Sequence, residues 1–212
     1  MLPGTKIRID WEAEQYSSYS NGSNSGLLFD NLSGSCLTDL PSQCTNGFSI
    51  AFWIKWVEWK PSFVISSPWF NWKHFMEQTV PVEVWDGTTA WRMFFERDLN
   101  KEKNSWMHYV ITWSRTKEIK IFVDGVDKST PNLQVPIAMH LAGKDMKPGR
   151  LALGTSAEKI RSDDETPLIW LRRFSLWNKW LTSEQIQTIY NIESEFSCKM
   201  FNYNFSVNCW PL

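Results

Sequence analysis

No apolar run in this chain of 212 residues approaches the roughly 20 residues that a membrane-spanning helix needs. Charge of one sign is also missing: 22 Lys and Arg stand against 23 Asp and Glu, mixed along the chain. Nucleic-acid surfaces need clustered basic residues, so no nucleic-acid partner is expected, and neither is direct membrane insertion. Histidine is scarce, and His74, His108 and His140 are scattered. With no CxxC spacing among the four cysteines, that scatter argues against a zinc site. Neither a Gly-x-Ser-x-Gly elbow nor a phosphate loop occurs. Met1 is not followed by a basic and then an apolar stretch, so no secretion signal is expected in the given sequence. No internal repeat or low-complexity tract is evident.

What the chain has is tryptophan, 14 residues of it, and alternation. In residues 106–113, Trp106, His108, Val110 and Thr112 fall on one face, and Met107, Tyr109, Ile111 and Trp113 on the other. A polar gap follows. Alternation then resumes over 118–123, with Ile119, Ile121 and Val123 together, and ends at Asp124-Gly125. β-Branched and aromatic residues around a short polar gap predict an antiparallel hairpin. Residues 48–57 alternate likewise, with Phe48, Ile50, Phe52, Ile54 and Trp56 on one face. Further strands are predicted at 6–11, 27–29, 63–66, 69–75, 150–154 and 168–177, and a hairpin joins 80–85 to 91–96 across Asp86-Gly87. Residues 128–147, with Pro131, Pro136 and Gly143, read as irregular. The one helix starts at Thr182, where Gln185 completes a capping box, and Leu181, Ile186, Ile189 and Tyr190 would face a sheet. The class is all-β, and the length suits one large domain.

The order of these pieces resembles a known family. A Trp-x-His pair at 106 and 108, the Thr112-Trp113 strand end and the Val123-Asp124-Gly125 close resemble the central hairpin of laminin G-like and pentraxin-like modules. Cys36, a loop, Cys44, Gly47 and the strand from Phe48 resemble the early core strand of the same modules, where a small cysteine-closed loop often comes first. Leu151-Ala152-Leu153-Gly154 and the Leu181-Thr182 step into a helix continue the match. The resemblance implies a concanavalin A-like jelly roll: two antiparallel sheets in a sandwich with one short C-terminal helix. It covers most of residues 1–191. Residues 192–212 fall outside it and are expected to form an extension packed on the same domain.

Four cysteines allow three pairings. Cys36 with Cys44, and Cys198 with Cys209, is the simplest arrangement by spacing, and the second pair would close the extension. Sequons stand at Asn21, Asn31 and Asn204. Paired cysteines together with sequons predict a glycoprotein outside the cell, secreted or part of a receptor ectodomain.

Some jelly rolls of this class are glycoside hydrolases, which need two carboxylates on one strand at a spacing of two. Glu96 and Asp98 have that spacing, but Asn100 follows at the next alternate position and the stretch reads as a solvated strand end. Ser105 and His108 are close in sequence without the makings of a triad. Pentraxins carry calcium ligands directly after the Leu-Gly strand. Here only Glu158 follows closely, and Arg172-Arg173 stand where the family often has an acidic residue. The acidic group Asp163, Asp164 and Glu165 reads as a solvated loop tip, so neither metal nor cofactor is expected. There remain Trp59, Trp69 and Trp72, clustered among prolines, as candidate ligand-binding residues. The reading is a non-catalytic module of cell adhesion or signalling that binds an extracellular or cell-surface protein. A glycan-binding lectin is the alternative, and a polysaccharide hydrolase a weaker one.

Overall fold

The computed structural model describes residues 5–9, 27–29, 46–58, 62–74, 79–86, 89–96, 105–131, 133–136, 149–153 and 168–200, at some of which only the backbone is described. Thirteen strands and one helix are found there. In chain order they are β1 (Thr5–Ile9), β2 (Leu27–Phe29), β3 (Phe48–Glu58), β4 (Ser62–Ser66), β5 (Phe70–His74), β6 (Thr79–Trp85), β7 (Thr89–Glu96), β8 (Trp106–Ser114), β9 (Glu118–Val123), β10 (Val126–Asp127), β11 (Leu133–Pro136), β12 (Leu151–Leu153), β13 (Leu168–Trp177) and the helix α1 (Ser183–Met200). They form a six-stranded sheet, β1-β13-β3-β8-β9-β10, and a seven-stranded sheet, β11-β7-β6-β5-β4-β12-β2. Every pairing is antiparallel. Strands far apart in sequence lie side by side, as in β13-β3-β8. This is the jelly-roll sandwich that the resemblance implied.

Alternation explains the layers. A strand sends successive side chains to opposite faces. Phe48, Ile50, Phe52, Ile54 and Trp56 of β3 point inward with Met107, Tyr109, Ile111 and Trp113 of β8. They meet Phe70, Trp72, Val82, Val84, Trp91, Met93 and Phe95 from the other sheet. Tyr109 sits at the centre, its ring 5.0 Å from that of Trp72 and 6.0 Å from that of Phe52. Such tilted and offset ring pairs add about 0.5–1.5 kcal/mol each beyond area burial. Gly47 opens β3 at φ 71°, and a Cβ there would stand 2.0 Å from the carbonyl oxygen of Trp113. Only glycine lets the two backbones come this close.

The second face of the six-stranded sheet is covered by α1. Ala51, Val110, Phe122 and Trp177 form a smaller cluster there with Leu181, Ile186 and Ile189. The capping box forms as the sequence indicates: the Thr182 N–H donates to Gln185 Oε1 at 3.0 Å, and the Gln185 N–H to Thr182 Oγ1 at 3.3 Å. Ser49 Oγ bridges the sheet to this helix start, donating to the carbonyl oxygen of Lys179 at 2.8 Å and accepting from the Leu181 N–H at 3.1 Å.

Two expectations change. Residues 133–136, read as irregular, form an edge strand on β7. Pro136 is its last residue, where a sheet edge tolerates the missing N–H. The helix runs on to Met200, because residues 192–200 contain neither Gly nor Pro to stop it. The expected boundary between residues 191 and 192 therefore falls inside α1, and Cys198 lies on the helix.

Candidate functional site

The tryptophans proposed from sequence do not form one surface. Trp72 is fully buried between the sheets, among Phe52, Phe95 and Tyr109. It packs the core and presents nothing to a ligand, because β5 turns Phe70 and Trp72 inward together. Trp69 precedes that strand in the turn from β4 and is half-buried. Trp59 lies outside the described residues, as do Asn21, Asn31, Asn204, Cys36, Cys44, Cys209, Asp98 and the acidic group Asp163, Asp164 and Glu165. Of Cys198 only the backbone is described.

Two outward faces remain. On the seven-stranded sheet, Ser66, Asn71, Glu83 and Arg92 stand in one cross-strand row. Ser66 Oγ donates to Asn71 Oδ1 at 2.7 Å, and Arg92 is paired with Glu83. Asn71 is 1% exposed, and its Nδ2 has no hydrogen-bond partner among the described residues. Beyond this row the face opens. Phe94 lies opposite Pro81 and is 43% exposed, with Glu96 exposed one step further along β7.

On the six-stranded sheet the outward side chains past the helix start are Trp53 and His108, paired across β3 and β8. His108 is fully buried. Its ring lies 5.0 Å from that of Trp53 and 5.7 Å from that of Tyr190 on α1. Glu193, one turn further along the helix, brings Oε2 to 3.6 Å from His108 Nε2 and accepts from Trp53 Nε1 at 2.8 Å. At 3.6 Å the imidazole makes no hydrogen bond to that carboxylate, and neither ring nitrogen has a partner among the described residues. Burial, and then the nearby Arg173 cation, lower the His108 pKa from 6.5 to about 3, so the ring is neutral near pH 7.

The arginines come from a bulge. The register of β13 against β3 shifts between Arg172 and Ser175, and Arg173 takes φ 54°. A non-glycine residue in the left-handed region marks a backbone held by its surroundings. The bulge lets Arg173 Nη1 donate to the Glu193 carbonyl oxygen at 2.5 Å. Arg172 meanwhile lies 4.2 Å from the ring of Trp106 and 5.1 Å from that of Trp53. Sequence reading missed this cluster. Trp53 and Glu193 are 140 positions apart, and the only local signal was a pair of arginines in an apolar strand.

The His108 ring is shut between Trp53 and Tyr190, while Ser105 is exposed. Glu83, the one carboxylate in the polar row, is tied to Arg92. No group of three or more metal-ligating side chains occurs among the described residues, and no described helix is long and apolar enough to cross a membrane.

Two stacked antiparallel sheets with a helix laid on one of them are the frame of a jelly-roll domain of the concanavalin A type. The chain belongs to the concanavalin A-like lectin/glucanases superfamily, whose laminin G family model matches residues 29–187. That superfamily, as its name states, holds sugar-cleaving members as well as binders. Among solved structures, the binding domain of Paraclostridial Mosquitocidal Protein 1 is similar at 12% identity and a TM-score of 0.57, over 91% of this chain and 46% of that one. The Botulinum Neurotoxin Type G Receptor Binding Domain is similar at 15% identity and a TM-score of 0.50, over 70% of this chain and 38% of that one. This chain thus spans less than half the length of either, and at these identities the likeness is one of fold. None of the curated proteins matches.

Proposed function

We propose that this chain is a non-catalytic extracellular recognition module that binds a protein ligand, or organises a larger receptor or matrix ectodomain in adhesion or signalling. The observation that carries this reading is the open end of the seven-stranded sheet. There an exposed Phe94 sits opposite Pro81, beside the Arg92–Glu83 pair and Glu96. An exposed aromatic side chain beside an arginine is the kind of anchor that protein-binding hot spots use. The sequons and the four cysteines support an extracellular setting. Two neighbours in fold are themselves called binding domains, which agrees with recognition as the task.

The test is capture of cell-surface proteins by the immobilised chain, with Phe94→Ala as control. The expected result is a specific protein held by the parent and lost, by tenfold or more, by the variant. Equal capture by both would remove Phe94 from the interface.

A glycan is the second reading, favoured by the lectin members that the name of the superfamily includes. Defined selectivity on a glycan array, weakened by Phe94→Ala, would replace the protein ligand with a sugar. Hydrolysis of β-glucans abolished by Glu96→Gln would replace both with an enzyme.

A further inference from the structure

The contact between α1 and the six-stranded sheet changes character along the helix. Its start is held by Ile186 and Ile189, with Leu181 just before it, on an apolar surface behind a capping box. Its middle turn rests on ionisable groups. Tyr190 and Glu193 close over His108 and Trp53, and Arg173 reaches the Glu193 carbonyl. We propose that the middle turn of α1, from Tyr190 to Glu193, is an acid-released latch, with His108 as the group that senses the proton.

The charged and titratable groups around His108 come from every element that packs on it. From α1 come the Glu193 carboxylate and the Tyr190 phenol. Arg172 and Arg173 come from β13, with Arg172 lying over the Trp53 ring. From the turn after β9 comes Asp124, whose Oδ1 accepts the main-chain N–H of His108 at 2.9 Å. On β3, Trp53 contributes an indole, and Lys55 lies one alternate position further on. Glu193 and Asp124 favour an imidazolium, and both arginines oppose it. Glu193 is already engaged by Trp53 Nε1 and stands 3.6 Å from the imidazole. The ring is sealed from water, so a proton cannot be hydrated while the latch is closed. Lifting Tyr190 and Glu193 away exposes His108 on an open sheet face, where it titrates near the ordinary value of about 6.5.

The direction follows from linkage. The open form binds the proton more tightly than the closed form. Closure is therefore complete above about pH 6.5 and weakens as pH falls. With an ordinary value in the open form and a deeply lowered one in the closed form, the closing equilibrium drops roughly 30-fold at pH 5.0. What opens is a face lined by Trp53, Trp106 and Arg172, while the capped start of the helix keeps its apolar anchor at Ile186 and Ile189.

The test is amide hydrogen exchange on the full chain at pH 7.5 and 5.0, expressed as protection to remove the intrinsic pH dependence. It is paired with a side-chain NMR titration of the histidines. The expected result is a loss of protection of about 30-fold at residues 190–194, with little change at Val110 and Ile111. His108, identified by the resonance that disappears in His108→Phe, should stay neutral to well below pH 5 in the closed form. His108→Phe keeps an aromatic ring in the stack and should show no such loss. Glu193→Gln keeps an acceptor for Trp53 and covers the case in which the phenylalanine variant does not fold. It should retain the loss with the same onset. Protection that is constant or rises in acid would mean that a His108–Glu193 ion pair forms and tightens the helix, which overturns the proposal. So would disappearance of the effect in Glu193→Gln, because the carboxylate would then be the titrating group.

Discussion

The two outward faces of this sandwich are built from opposite materials. On the six-stranded sheet, Ala51, Val110, Phe122 and Trp177 lie under Leu181, Ile186 and Ile189, and even the histidine is sealed. On the seven-stranded sheet, Ser66, Asn71, Glu83 and Arg92 cross the strands in a row, and Phe94 stands in solvent beyond it. The first face behaves as a second core; the second is sealed at Ser66 and Asn71 and opens only toward Phe94 and Glu96. Substitutions on the helix side should therefore read out in stability, and those around Phe94 in binding.

The sharpest break of this contrast is Ile186→Ala. Ile186 is fully buried under the helix, and its truncation should lower unfolding free energy by about 2–5 kcal/mol through lost transfer and a residual cavity. Urea denaturation measures it. A loss below about 1 kcal/mol, smaller than that principle's usual range, would mean that the helix side is not a core at all.

Acid comes next. The folded-state pKa of His108, about 3 against an ordinary 6.5, makes a contribution that is fully present above pH 6.5. It is lost as pH falls through the window down to about 3. Global stability should decline on this account by about 1.4 kcal/mol per pH unit, or about 2 kcal/mol at pH 5. Comparison with His108→Phe isolates the effect, since every other titrating group is shared. Parallel pH profiles for the two proteins would show that His108 is no more protonated in the unfolded chain than in the folded one.

A smaller effect belongs to the capping box. Thr182→Ala removes the acceptor of the Gln185 N–H and should lower stability by about 1 kcal/mol. A response of that size, added to the Ile186 effect, would show that the start of the helix is held locally as well as by burial.

How much of this was readable in the sequence depends on distance along the chain. The central hairpin and the long strand from Phe48 were legible because alternation survives in local sequence. The capping box was legible because Thr182 and Gln185 are three residues apart. The edge strand at 133–136 was not, because prolines at 131 and 136 mimic a loop. Trp72 was misread for an instructive reason. Its cluster with prolines suggested a surface, whereas its parity with Phe70, a period of two, already placed both on one face. The His108 cluster had no local signal. It joins β3, β8, β13 and α1, and the bulge that turns Arg173 toward Glu193 depends on pairing that no short window contains.

The last prediction separates surface from scaffold. Phe94 is the largest exposed aromatic side chain among the described residues, and its main-chain carbonyl, bonded by Thr130 Oγ1, is untouched by a side-chain change. At 43% exposure the side chain is only partly removed from water. Phe94→Ala should therefore lower unfolding free energy by about 1 kcal/mol, well short of the ~3–5 kcal/mol of a fully buried Phe. If the open end of the seven-stranded sheet is a hot spot, the same variant should weaken partner binding by about 2 kcal/mol or more, some thirtyfold in affinity. A stability loss as large as that of a buried Phe, together with lost binding, would show that Phe94 supports the sheet edge near β11 and that the ligand lies elsewhere. A small stability loss with lost binding is the combination that a recognition surface produces.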